Sequence, residues 1–490
     1  MTEPQKPEEK KEEKPTPKDN IVETKHSVQI GGKEIKYTVT AGTMILKEET
    51  ADREKESQGE KPRAQIFFIA YTKDGVKDKS KRPITFSFNG GPGSSSVWLH
   101  LGLLGPRRVV LKDNGELPKP PFKLTDNQYS VLDETDLVFI DPISTGYSRP
   151  VEGEKPKEWH GFKKDIESVG DFIRLYTTRY KRWLSPKFLA GESYGTTRAA
   201  GLSGYLQERH GLYLNGLMLI SVVLDFTTID FNFNNDLPYI LFLPAYAAAA
   251  WYHRKLNVRV PLQTLLKEVE NFAQNEYARA LLKGNAMTKE ERDGIVEKLA
   301  RYTGISKEFI ERTNLRIIDQ HFFKELLRDR GRTIGRLDSR FTAIDRIGVT
   351  ERPEFDPLLT NVLGPYTAAF YDYVRSELKF ESDLPYEILS EKVWPWSYAP
   401  FENQYVNVGE TLRQAMTYNP YLKVFVASGY YDLGTPYFAA EYTFNHLGLD
   451  QSLQKNISME YYDAGHMMYI HMPSLKAMKK DLTKFIKEAS

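Results

Sequence analysis

The segment GESYG at residues 191–195 constrains the fold more than any other part of the sequence. It follows a short apolar run over residues 187–190 and precedes a run of small residues that extends to Gln207. The pattern G-x-S-x-G between a strand and a helix is typical of a sharp turn that lifts the serine hydroxyl above the edge of a parallel sheet. The sequence therefore predicts Ser193 as a nucleophile. The alternative interpretation is a serine in an ordinary glycine turn.

Apolar runs that alternate with a helical pattern predict a parallel sheet. The short runs, each consistent with a strand, lie at residues 83–88, 137–140, 187–190, 217–224 and 424–427. Between two of them, residues 162–180 place apolar side chains at helical spacing. Strands that are apolar throughout are buried on both faces, so helices must cover both sides of this sheet. The predicted fold class is α/β.

A change in pattern divides the chain. Residues 1–20 contain no Leu, Ile, Val or Phe, and we expect a disordered charged tail over residues 1–25. Residues 26–225 are predicted as the first part of the α/β core and residues 406–490 as its second part. Residues 226–405, between them, have a mostly helical, aromatic-rich pattern that predicts a large cap inserted after a central strand.

Composition limits the partners and the chemistry. The 490 residues include 67 basic and 66 acidic side chains, so the net charge is +1. This balance argues against nucleic acid as a partner, because proteins that bind it carry a basic excess or stripe. The chain has no cysteine, which excludes disulfides, a thiolate zinc site and a cysteine nucleophile. The sequence indicates neither metal-ligand spacing nor a phosphate-binding loop, so we expect no metal and no cofactor.

The apolar runs also bear on location. The longest, residues 237–252, is shorter than the ~20 residues of a membrane-spanning helix and contains two prolines. We therefore expect no integral membrane segment. The first residues lack the apolar core of a secretory signal. A periplasmic or secreted protein whose signal has been removed is expected, with the cytoplasm as the alternative.

A serine nucleophile needs a base, and the base needs a carboxylate that orients it. In α/β-hydrolases these residues follow the order Ser, Asp or Glu, His. His466 lies in a loop before the last predicted helix, and Asp432 follows the strand at residues 424–427. We predict the triad Ser193, Asp432 and His466. The less well placed candidates are His446, His471 and Asp463. Asp463 is close to His466 in sequence but follows no predicted strand.

The segment NGGPG at residues 89–93 leaves a predicted strand. An oxyanion hole needs two backbone N–H groups that point at the tetrahedral oxygen. Gly90 and Gly91 have no side chain to block the approach, so this segment can supply one N–H group and Tyr194, next after the nucleophile, the other. The alternative is a plain β-turn, in which glycine and proline are also common.

Five motifs occur in the order found in the serine carboxypeptidase family, which this sequence resembles. They are NGGPGSSS at 89–96, LGP at 104–106, DP with TGYS at 141–148, GESYG at 191–195 and GHM at 465–467. The resemblance implies an α/β-hydrolase fold and a serine-type peptidase that removes C-terminal residues from peptides through an acyl-enzyme on Ser193. It implies Asp432 and His466 as the other triad members, and Gly91 and Tyr194 as the oxyanion donors.

The resemblance also implies that Asn89 and Glu192 bind the C-terminal carboxylate of the substrate, beside the open approach at Gly90. Two ionised carboxylates repel, so Glu192 must hold a proton. Peptide binding is then expected to be best at mildly acidic pH, whereas His466 must be neutral to act as a base. The alternative for Glu192 is a structural hydrogen bond under the turn.

The sequence departs from the family at two positions. Leu103 stands where relatives carry a second glutamate, and Ser87 stands where they carry a tryptophan. We expect Glu192 to hold its proton less firmly as a result. Arg198 is expected to form a structural ion pair; the alternative is that it offers a compensating positive charge to a carboxylate.

The same departures favour an alternative function, an esterase or acyltransferase that uses the same triad. A second alternative is a binding protein with a hydrolase fold and no activity. Relatives that dimerise make a homodimer a further prediction for this chain.

Overall fold

A computed structural model describes residues 17–49 and 59–490. Its strands are β1 (Asn20–Ile30), β2 (Lys33–Glu49), β3 (Glu60–Lys73), β4 (Ile84–Phe88), β5 (Arg107–Val109), β6 (Leu124–Asp126), β7 (Asp136–Ile140), β8 (Arg149–Pro150), β9 (Lys187–Ser193), β10 (Gly216–Val222), β11 (Thr333–Ile334), β12 (Thr342–Ala343), β13 (Lys423–Gly429) and β14 (Ile457–Tyr462).

The α-helices are α1 (Val97–Leu99), α2 (Phe162–Arg179), α3 (Tyr194–His210), α4 (Leu237–Tyr252), α5 (Leu262–Phe272), α6 (Ala278–Lys283), α7 (Lys289–Thr303), α8 (Lys307–Arg312), α9 (Asp319–Glu325), α10 (Pro357–Asp372), α11 (Gly409–Tyr418), α12 (Tyr437–Asn445), α13 (Gln451–Gln454) and α14 (Met472–Ala489). Short π-helical turns extend three of the α-helical segments: His100–Leu104, Ala273–Tyr277 and Tyr373–Glu377.

One central sheet organises the molecule, in the order β1-β2-β3-β7-β4-β9-β10-β13-β14. The pairs from β1 to β7 are antiparallel, and those from β7 through β14 are parallel. Strands β4, β7 and β10 are buried along their whole length. The predicted parallel sheet is therefore confirmed, and the carboxyl ends of β4, β9, β13 and β14 meet at one edge.

Helices cover both faces of the sheet. Helices α2, α3 and α11 pack with apolar side chains of one face, and α10 and α14 contribute to the apolar cluster on the other. Apolar positions on α2 recur at helical spacing and bury the same side of the helix, as the sequence predicts. This two-sided burial excludes water from the sheet and fixes the strand ends that carry the site.

The inserted segment after β10 is mostly helical, as predicted. Helices α4 to α9 build an apolar cluster of their own, which also takes in side chains just after β13. Helix α7 begins with a capping box, in which Thr288 and Glu291 each bond the other's backbone N–H. Helix α10, by contrast, packs on the sheet. The division at residues 226 and 405 stays a prediction.

The amino-terminal boundary differs from the prediction. Strand β1 begins at Asn20 and pairs with β2 along its whole length, so residues 20–25 belong to the sheet and not to a tail. Thr24 and Lys25 gain their strand conformation from backbone pairing with β2, which their polar side chains do not reveal. The rest of the predicted tail, residues 1–16, lies outside the described residues.

Candidate active site

Ser193 lies at the junction of β9 and α3, where the sequence predicts a sharp turn. Its backbone has φ 60° and ψ −130°, a conformation that side chains rarely adopt and that stores about 1–3 kcal/mol of strain. Glycine is required beside it, because a Cβ at Gly191 would lie 2.2 Å from the carbonyl oxygen of Gly195. The turn therefore presents the Ser193 side chain at the carboxyl edge of the sheet.

Asp432 and His466 are in direct contact. His466 Nδ1 lies 2.7 Å from Asp432 Oδ2, and both side chains are buried. The other donors to Asp432 are the backbone N–H groups of Gly434 and Thr435, at 2.7 and 3.0 Å, and the Thr435 hydroxyl, at 2.7 Å. This set of donors fixes the carboxylate and, through it, the plane of the imidazole.

The contact of the Ser193 hydroxyl with this pair stays a prediction. Within the described residues, the hydrogen bonds of the His466 ring run to Asp432 and Thr435 through Nδ1, and none joins it to Ser193. In ligand-free hydrolases this bond is often long and tightens when substrate binds. Burial alone lowers the pKa of His466, but Asp432, with help from Glu192, raises it above its ordinary value.

The inserted segment holds the histidine loop in place. The N–H of His466 donates to the carbonyl of Leu337 at 2.6 Å, and the N–H of Gly465 donates to Asp338 Oδ2 at 3.0 Å. The Ser221 hydroxyl, on β10, donates to the carbonyl of His466 at 2.7 Å. Sequence reasoning missed these supports, because they join positions far apart in the chain.

The rival candidates make other contacts. Asp463 directly follows β14, so the prediction that it follows no strand was wrong; β14 alternates exposed and half-buried residues and lacks an apolar run. Its side chain is nevertheless exposed. His446 bonds the carbonyl of Tyr442, and His471 bonds the Ser474 hydroxyl.

The glycine loop after β4 lies against the serine turn. A Cβ at Gly90 would lie 2.5 Å from the backbone nitrogen of Tyr194, so only glycine permits this approach. Gly91 has φ +100°, a conformation that favours glycine. The loop backbone and the first N–H of α3 are thus neighbours, as an oxyanion hole would require. The donor roles of Gly91 and Tyr194 stay predictions.

Asn89 begins the same loop and has an unused donor. Its Oδ1 accepts the N–H of Leu99 at 3.1 Å, whereas Nδ2 is buried without a hydrogen-bond partner. A buried donor without a partner costs stability, and the role of Asn89 in binding the substrate stays a prediction. Nδ2 lies near enough to the Glu192 carboxyl to lower its pKa slightly.

Arg198 forms a structural ion pair, as the sequence favours over a contact with a ligand. Its Nε lies 2.8 Å from Asp165 Oδ2, and its Nη1 donates to the carbonyl of Asn89 at 2.5 Å. Arg198 is only 1% exposed, so its charge is taken up by these two partners. The side chain therefore ties α3 to α2 and to the start of the glycine loop.

Glu192 lies beneath the serine turn and is 4% exposed. Burial raises its pKa to about 7, partly offset by His466 and by a hydrogen bond from Tyr469. The Tyr469 hydroxyl donates to Glu192 Oε2 at 2.7 Å. Sequence reasoning missed Tyr469, although it stands three residues after His466, because its partner is 277 positions earlier.

The positions that depart from the family are both buried in the core. Leu103 belongs to the π-helical turn after α1 and is 1% exposed. Its neighbour Gly102 faces two tyrosines: a Cβ there would lie 2.5 Å from Tyr469 Cε2 and 2.6 Å from the Tyr366 hydroxyl. Ser87, on β4, is buried with its hydroxyl unpaired.

Residues 17–49 and 59–490 hold neither a metal-binding cluster nor a membrane-spanning helix. No group of three or more histidines, aspartates or glutamates could hold a metal ion there. Nor does any helix in those ranges combine the length and the apolar character needed to cross a bilayer.

Comparison with known sequences agrees with the motifs. The sequence model described as serine carboxypeptidase matches residues 57–478. Pheromone-processing carboxypeptidase KEX1 from Saccharomyces cerevisiae is 34% identical over 161 residues, which cover 31% of this chain and 20% of the yeast protein. Serine carboxypeptidase-like 45 from Arabidopsis thaliana is 28% identical over 181 residues, which cover 35% of this chain and 36% of the plant protein. The match thus spans about a fifth of the yeast relative's length and about a third of the plant one's.

Comparison with solved structures supports the fold. The crystal structure of KEX1(Δ)p, described as a prohormone-processing carboxypeptidase from Saccharomyces cerevisiae, matches with a TM-score of 0.56 and 17% identity, over 91% of each chain. At this identity the likeness concerns architecture alone. The predicted α/β-hydrolase fold is confirmed.

Proposed function

This chain belongs to the serine carboxypeptidase family, and from that premise we propose that it releases single amino acids from the C-terminus of peptides. The observation that carries the proposal is the arrangement around Ser193. The His466–Asp432 pair lies at the same sheet edge as the serine turn, and Glu192 and Asn89 offer donors that suit a carboxylate.

The proposed reaction is acyl transfer in two steps. Ser193 Oγ attacks the carbonyl carbon of the last peptide bond while His466 takes the hydroxyl proton. The carbonyl oxygen becomes an oxyanion that the N–H groups of Gly91 and Tyr194 stabilise. His466 then gives the proton to the leaving nitrogen, and the C–N bond breaks. Water, deprotonated by His466, hydrolyses the ester and frees Ser193.

Selection for the chain end rests on the proton of Glu192. Below its pKa of about 7, Glu192 is neutral and can donate to the substrate carboxylate. Above that value it is ionised and repels the carboxylate. His466 needs the opposite change, because it accepts a proton only when neutral. The two requirements predict a narrow, bell-shaped pH dependence for substrates with a free carboxylate.

The test compares two peptides that differ only at the end. A peptide with a free C-terminus and its C-terminal amide are incubated with the wild type and with Ser193→Ala, and products are identified by mass spectrometry. We expect stepwise loss of single residues from the free acid, much slower cleavage of the amide, and neither reaction in the variant. Internal cleavage would contradict an exopeptidase.

The esterase or acyltransferase alternative has one observation in its favour: Leu103, where relatives carry a second glutamate, is apolar and buried. Equal turnover of the acid and the amide, with faster turnover of an ester, would support it. A location outside the cytoplasm and a homodimer stay predictions.

A further inference from the structure

Tyr469 is the one side chain whose hydroxyl bonds the buried Glu192 carboxyl within the described residues. It lies on the short turn Met468–Ile470, just after the histidine loop, and is 2% exposed. Neither the motifs nor the triad geometry explains why a tyrosine hydroxyl should be directed at this carboxyl. A buried phenol hydroxyl needs a partner, and here that partner is Glu192 Oε2, at 2.7 Å.

The pocket around this bond is built to admit the tyrosine. Leu103, next to Gly102 in the chain, is apolar and buried, so this position supplies no carboxyl. Gly102 supplies the space: any side chain larger than hydrogen would meet the ring of Tyr469. The hydroxyl donor that the structure gives Glu192 is therefore a phenol.

We propose that Tyr469 is a positioning residue that fixes the proton of Glu192 for recognition of the substrate carboxylate, an inference that rests on the proposed function. Because the phenol occupies Oε2 as a donor, the proton of neutral Glu192 resides on Oε1. That oxygen is then the donor to the ligand. A glutamate in the place of Tyr469 would share its proton with Glu192 and would itself change charge with pH. The phenol keeps its proton from pH 5 to pH 9 and does not change charge.

The groups around Glu192 determine the direction in which its pKa should change when the Tyr469 hydroxyl is removed. The titratable groups that face it are His466, Asp432, Tyr469 and Tyr366. Burial raises the pKa of Tyr469 well above 10, so its hydroxyl keeps its proton. A donor stabilises the ionised carboxylate and lowers the pKa of Glu192. Removal of the hydroxyl must therefore raise that pKa and extend carboxylate binding to higher pH.

The experiment measures kcat/KM from pH 5 to pH 9 for the free-acid peptide and its amide. In Tyr469→Phe we expect the alkaline limb of the kcat/KM profile for the free-acid peptide to move to higher pH by about one unit. We also expect KM for this peptide at pH 6 to rise about fivefold. The amide should show neither change. Tyr461→Phe is the matched control, since its hydroxyl donates to another glutamate, the half-buried Glu441, at 2.6 Å.

Fluorotyrosine at position 469 provides a second variant for the same measurement, one that retains the hydroxyl. Its more acidic phenol donates more strongly, so the alkaline limb should move to lower pH, opposite to Tyr469→Phe. Equal profiles for all three proteins, or equal changes for acid and amide, would overturn the role of Tyr469. If the wild type itself does not prefer the free acid, the proposed function fails, and this inference fails with it.

Discussion

Two buried carboxyl groups lie near Ser193, and they differ in the donors that surround them. Asp432 accepts hydrogen bonds from two backbone N–H groups, a threonine hydroxyl and His466. Glu192 accepts one from Tyr469, and burial raises its pKa to about 7. Asp432 is thus held in place by several donors, whereas Glu192 is the carboxyl that burial equips to hold a proton near neutral pH.

The largest effect is expected when the Asp432 carboxylate is replaced by an amide. Asp432→Asn should lower kcat by about 10⁴-fold, because the amide favours the wrong tautomer of His466. Stopped assays with the free-acid peptide measure the loss. Asp463→Asn is the control, since its exposed side chain lies three residues from His466, and its kcat should stay within about twofold. Comparable losses in both variants would contradict the assignment of Asp432.

A third buried carboxyl, that of Asp165, differs from the other two because it is paired with an arginine. Asp165 pairs with Arg198 at 2.8 Å, and both are almost fully buried. Arg198→Met should lower the free energy of unfolding by about 3–5 kcal/mol, because it leaves an uncompensated buried carboxyl. Urea denaturation followed by circular dichroism measures this. A loss below about 1 kcal/mol would show that the pair does not hold α3 and α2 together.

Replacing Glu192 tests the second carboxyl. Glu192→Gln should lower kcat/KM for free-acid peptides at pH 6 by about 10- to 100-fold and abolish the alkaline limb near pH 7. The acidic limb should move to lower pH, because the Glu192 charge raises the pKa of His466. Glu441→Gln, at another tyrosine–glutamate pair, is the control. An unchanged profile in Glu192→Gln would leave this carboxyl with a structural role.

The smallest expected effect comes from removing one donor of Asp432. Thr435→Val deletes the hydroxyl that lies 2.7 Å from Asp432 Oδ2 and leaves the backbone donors in place. We expect kcat to fall about fivefold, with KM unchanged, because the remaining donors still orient the carboxylate. Steady-state kinetics on the free-acid peptide resolve this change. A loss as large as that of Asp432→Asn would mean that the threonine, and not the donor set, controls the pair.

The parts of the fold that the sequence predicts are those encoded by local patterns. The serine turn at Ser193 and the apolar runs of β4 and β9 each lie within a few residues, so their periodicity and glycines were sufficient. The pairing of Asp432 with His466 was predictable from the order of triad residues in α/β-hydrolases, together with the apolar strand that precedes Asp432 and the loop that carries His466.

The parts that the sequence does not predict depend on contacts between distant segments. Strand β14 has no apolar run, so only its pairing with β13 defines it. The bond from Tyr469 to Glu192 joins positions 277 apart, and the support of His466 by Leu337 comes from the inserted segment. No local pattern carries the information for such contacts.

The most direct test of the whole account is labelling with a fluorophosphonate, followed by peptide mapping. The reagent reacts with a serine hydroxyl that a neighbouring base activates. We predict a single adduct on Ser193 in the wild type, a rate of labelling greatly reduced in Asp432→Asn, and none in Ser193→Ala. Labelling elsewhere in the chain, or a folded protein that does not react at Ser193, would contradict the claim that His466 and Asp432 activate this serine.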